Sequence, residues 1–141
     1  MNKLFYKIDP EVPGQLGKET KYDQSIMPWP ITKLHVIFDG WLGGDLLKIS
    51  SCFIVTKALM LELEKAKISG IEFENFKLEI SDMFKELYPN KELPQFYWLK
   101  IKGEAGKDDF GKAPKNKLIV SQNALNILNH FNLSDSEIKL I

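Results

Sequence analysis

The chain has 141 residues, 19 basic and 19 acidic, and a hydrophobic share of 44%. That length fits one domain around one core, and that balance excludes intrinsic disorder. A formal net charge of zero leaves no whole-chain footprint for nucleic acid. All 19 basic residues are lysine, so no guanidinium fork can grip phosphate or carboxylate.

In chain order, the β-prone segment from Lys3 to Ile8 predicts a first strand, stopped at Asp9-Pro10 because the residue before proline is pushed out of helical space. Pro10, Pro13, Gly14, Gly17, Pro28 and Pro30 then mark residues 10–32 as a long irregular arm, with Trp29 as the anchor that pins its end. Leu34, Val36 and Phe38 alternate with His35 and Ile37 and predict a strand over 33–39. The turn chemistry of residues 39–45 interrupts it, and two short strands follow at 46–49 and 52–55.

Thr56 is a good N-cap for a helix over 57–68, whose apolar face is Leu59, Met60, Leu63 and Ala66, with Gly70 placed as its left-handed stop. Residues 71–80 begin with period-two character and a turn at Asn75, and Ser81 caps a short helix to Leu87. The segment Phe96 to Lys102 is strongly β-prone, and a loop rich in glycine and charge runs from 103 to about 116. A last strand at 118–120 precedes a helix over 122–131, capped by Ser121. No internal repeat is visible. The fold class expected is α+β: a single domain over 1–141, with a mostly antiparallel sheet packed with two main helices.

The residues that could carry chemistry do not assemble into a motif. His35 and His130 lack a partner at i+3 or i+4, so no metal site is expected. The single Cys52 sits in an apolar run, which predicts a buried, inert thiol and excludes an internal disulfide. A cysteine–histidine arrangement of Cys52 with His35 or His130 lacks local support, as do paired carboxylates in a cleft. The glycine turns at 40–45 and 103–107 lack the lysine-serine ending of a phosphate loop, and no cofactor is expected. Six lysines against three acids over 100–117 read as a solvated strand face and loop, and no nucleic-acid partner is expected. The N-terminus lacks a signal peptide's apolar region and no window is apolar enough for a membrane span, so a cytoplasmic setting without membrane contact is the expectation.

What survives is a surface for docking. Trp41 and Trp98 are anchor-type residues, and Asp39, Asp45, Asp108 and Asp109 flank two glycine-rich turns as an acidic rim for a basic partner. The alternative is a small-ligand-binding domain or small enzyme with a pocket near Cys52 and His35. A homo-oligomer paired through an open strand edge at 96–101 is a third reading.

The segments 38–47, 52–56, 84–89, 93–99 and 106–111 (FDGWLGGDLL, CFIVT, FKELYP, LPQFYWL and GKDDFG) together resemble small bacterial immunity proteins of polymorphic toxin systems. The resemblance covers about residues 34–121, leaving the proline-rich arm and the last helix outside it. It brings no catalytic motif, so no active-site residue is carried over. It implies a cytoplasmic protein that binds a cognate toxin domain and blocks it, through Asp39, Trp41, Asp45, Trp98, Asp108 and Asp109 if the docking surface above is the one used.

Overall fold

A computed structural model describes residues 4–141. Its strands are β1 (Phe5–Asp9), β2 (Gly14–Leu16), β3 (Lys21–Tyr22), β4 (Ile31–Lys33), β5 (His35–Phe38), β6 (Leu46–Ile49), β7 (Cys52–Thr56), β8 (Ile71–Glu74), β9 (Lys77–Ile80), β10 (Phe96–Ile101), β11 (Phe110–Ala113), β12 (Lys117–Ser121) and β13 (Glu137–Leu140). The helices are α1 (Lys57–Lys65), α2 (Asp82–Leu87) and α3 (Gln122–Leu128). The α+β class holds, and among the strands named here every pair is antiparallel except β5 with β9. Each helix starts where a hydroxyl meets a bare amide: the side chains of Thr56, Ser81 and Ser121 accept from the N–H groups of Leu59, Phe84 and Ala124. Such caps contribute about 1 kcal/mol each.

The architecture is an internal duplication. Two four-stranded sheets have orders β6-β7-β10-β8 and β11-β12-β1-β13. In each, a hairpin runs into a capped helix and then into a strand at the far edge, and the strand between hairpin and edge comes from elsewhere in the chain. The buried positions correspond: Leu59, Met60 and Leu63 of α1 match Ala124, Leu125 and Leu128 of α3. Lys48 on β6 corresponds to Lys112 on β11, and each ammonium donates to the turn of the other hairpin, at Asn116 O (3.4 Å) and Ser51 O (2.6 Å). The repeat escapes a sequence reading because few residues are identical and one hairpin is a residue longer than the other.

Two cores result. One gathers α1, α3 and the inward faces of both sheets, through residues such as Phe53, Leu99, Phe110 and Leu118. The other lies on the opposite face of the β6-β7-β10-β8 sheet, where Ile54, Phe96 and Trp98 meet Leu34 just before β5, Val36 and Phe38 of β5, and Phe84 of α2.

Several expectations are corrected. Residues 10–32 are not an irregular arm. Within them β2 pairs with β5, β3 pairs with β4, and Glu11 bridges to Leu47. Proline removes a donor but keeps its carbonyl, and Pro13 O accepts from both Asp39 N and Gly40 N. Trp29 belongs to neither core; it is 49% exposed and its ring meets only Tyr22 of β3, 6.5 Å between centroids, among the aromatic pairs of the described residues. The first strand begins at Phe5, and Lys3 lies outside the described residues. Within the expected loop at 103–116, Phe110–Ala113 pairs with β12, and β13 follows a helix that stops at Leu128. The left-handed stop after α1 is Lys67 (φ 54°) rather than Gly70. Phe96–Ile101 is an inner strand flanked by β7 and β8, so the open edge expected there is closed.

Candidate functional site

The six residues expected to form a docking surface fall in three places: Asp39, Trp41 and Asp45 between β5 and β6, Asp108 and Asp109 just before β11, and Trp98 within β10. Asp45 joins the start of α1 to the segment after α3: its carboxylate accepts from Thr56 Oγ1 (2.7 Å) and from Asn132 N (2.7 Å). Asp109 does the same at the other end, accepting from Ser121 Oγ (2.6 Å) and from Ser69 N (3.0 Å). The two helices are thus antiparallel, and the two aspartates are separated by the length of α1, about 13 Å for nine residues. Burial pushes the Asp109 carboxyl up, but the hydrogen bonds from Ser121 and Ser69 outweigh it and hold it below the usual range. Asp108 accepts from Glu104 N (2.7 Å) inside its own turn. These carboxylates are engaged within the fold.

Trp98 is 5% exposed and belongs to the second core, with Lys100 Nζ 4.9 Å above its ring. Asp39 and Trp41 sit half-buried on the turn after β5. The Trp41 indole donates to Gly44 O (2.9 Å) and packs edge-on against Phe96. That glycine-rich turn holds an anion, but its own: the buried Glu11 carboxylate accepts from Leu42 N (2.8 Å) and Gly44 N (3.1 Å). A Cβ on Gly44 would stand 2.5 Å from Glu11 Oε1, so the close approach requires glycine.

His35 and Cys52 do not share a pocket. Cys52 is buried, and burial pushes its thiol above the usual range, which removes the thiolate a nucleophile needs. His35 instead meets Glu19, Lys77 and Glu79, a cluster the sequence hides because it is assembled across β5, β9 and the loop after β2. One ligand atom each from Glu19, His35 and Glu79 lie within 4.8 Å of one another, so these three could hold a metal by spacing. Two observations oppose it. The Lys77 ammonium already bridges both carboxylates, taking the position of the cation. The His35 Nδ1 accepts from Glu19 N (3.1 Å), which places the neutral ring's proton on Nε2, the atom facing Glu79 at 3.2 Å. A metal-bound histidine ordinarily donates through its other nitrogen, the reverse arrangement. Lys77 holds Glu19 and Glu79 below the usual carboxylate range through hydrogen bonding and charge, and it is itself raised. The cluster reads as an ion-paired clasp on an edge sheet, with Gly17 packed so tightly on the imidazole that a Cβ there would sit 2.1 Å from Nδ1.

The feature the sequence did not single out is the β3–β4 hairpin. Its tip exposes Ile26 (53%), Met27 (80%) and Trp29 (49%) in a short run. Beside it opens a cleft of about 470 Å³, walled by Pro28 and Trp29 on one side and by Phe53, Lys100, Lys102 and Lys112 on the other. Cys52 lines this cleft and His35 does not. The proline-flanked tryptophan was the available signal for the tip. The lysines were legible only as strand and loop residues, because β10 and β11 are brought to one cleft by the duplication.

Among the described residues, no helix is long and apolar enough to cross a membrane. Comparison of the chain with models of known families, with curated proteins and with solved structures gave no match.

Proposed function

We propose that this chain is a docking protein that binds a cognate bacterial toxin domain and neutralises it. The observation that carries the reading is the hairpin tip. Three large apolar side chains stand exposed within four residues, on a hairpin whose stem packs Ile31 against the second core. Contiguous exposed apolar groups of this kind mark interaction surfaces, whereas singly scattered ones do not. Trp and Met are enriched in such interfaces, and tryptophan is a frequent anchor. The buried, protonated Cys52 and the Lys77 ion pairs that occupy the carboxylates beside His35 favour binding over turnover. The toxin domain as partner class comes from the resemblance of residues 34–121 to immunity proteins.

The test is co-expression with the toxin domain encoded beside this chain. The expected outcome is restored growth with the natural chain and lost protection with Trp29→Ala combined with Met27→Ser. Growth arrest despite a soluble, folded natural chain contradicts the proposal.

A further inference from the structure

We infer that the docking surface is the β3–β4 tip together with the lysine-lined cleft beside it, and that it takes an acidic segment of the partner, carboxylates flanking an apolar side chain. This rests on the docking reading above and names the chemistry of its partner. Three lysines line the cleft and no aspartate or glutamate does. Lys100 is paired with Glu74 at 3.1 Å, while Lys102 and Lys112 form no ion pair among the described residues. Lys48 also stands unpaired, 5.9 Å from the centre of the Phe53 ring that Lys112 approaches at 5.8 Å. Desolvation, with Lys48 nearby, holds the Lys112 ammonium below the usual lysine range. On the hairpin stem Lys21 lies directly opposite Lys33, a like-charge cross-strand pair that costs stability. Lys48, Lys102 and Lys112 thus stand near the tip without an ion-pair partner among the described residues, in a chain whose net charge is zero.

An acidic partner supplies those counter-charges, and desolvated charge pairs beside an apolar anchor are the arrangement that gives both rate and specificity. Nucleic acid fits less well. Base stacking needs free ring faces, yet ammonium groups already stand over Trp98 and Phe53, leaving Trp29 as the exposed ring of the cleft. Three of the four aspartates that would have served a basic partner, Asp45, Asp108 and Asp109, are held by internal hydrogen bonds.

The experiment titrates the neighbouring toxin domain against the natural chain and three variants. In the first, Lys100, Lys102 and Lys112 are all changed to Gln; in the second, Lys102→Glu, only an exposed side chain changes; in the third, Lys139→Gln, the change is on β13. Affinity is expected to fall roughly tenfold or more in the first two and to keep its value in the third, with a loss on adding salt that the triple variant no longer shows. Unchanged affinity and salt dependence in the folded Lys102→Glu and triple variants overturn this inference and leave the docking reading standing. No binding by the natural chain defeats the docking reading itself. Displacement of the toxin domain by a single-stranded oligonucleotide would also overturn the inference, since the cleft would then serve nucleic acid.

Discussion

At the scale of single residues, three carboxylates, those of Glu11, Asp45 and Asp109, serve the fold itself. Glu11 satisfies two amides of a glycine turn, and Asp45 and Asp109 each tie a helix cap to a distant segment. Asp109 makes this measurable. Its carboxyl is depressed in the fold, so the stabilisation is complete above the ordinary carboxyl range and is lost as pH falls through the lower folded value. Asp109→Asn is expected to cost about 1 kcal/mol at neutral pH, after discounting for its partial exposure. In denaturant titrations that difference should close under acid conditions; a difference that persists at low pH refutes the assignment. The types of these residues were legible in the sequence, but their roles were not. An Asp beside glycine reads as rim or turn alike, and only the long-range partners Asn132 and Ser69 decide between them.

At the scale of elements, local signals worked where the physics is local. The Ser and Thr caps and the apolar faces of α1 and α3 follow from spacing along one helix. The segment 10–32 misled for a reason that is also physical. Its strands are two or three residues long, lie at sheet edges and are separated by stretches rich in proline, so period-two patterning has no length in which to appear. The tip between β3 and β4 is held by its stem and contributes little burial of its own. Ile26→Ser with Met27→Ser is therefore expected to change unfolding stability by no more than about 0.5 kcal/mol. A denaturant melt checks this; a loss of several kcal/mol would mean that the tip belongs to the core and is not a contact surface.

At the scale of the whole molecule, the duplication explains where the cleft comes from. Crossing the two hairpins sets Lys48 and Lys112 on either side of the repeat, beside Lys100 on β10 and Lys102 just beyond its end. The α+β class was legible from the order of strands and helices. The duplication was not, because its two copies share burial positions and caps more than residue identities. The sequence reading of an acidic rim and the geometry of a basic, apolar-tipped cleft share Trp98 but point to partners of opposite charge. Hydrogen–deuterium exchange of the chain alone and with the proposed toxin-domain partner separates them most directly. The account predicts protection concentrated in residues 22–33, 98–102 and 112–116. Protection confined to residues 39–45 and 104–109, with none at 22–33, would contradict it.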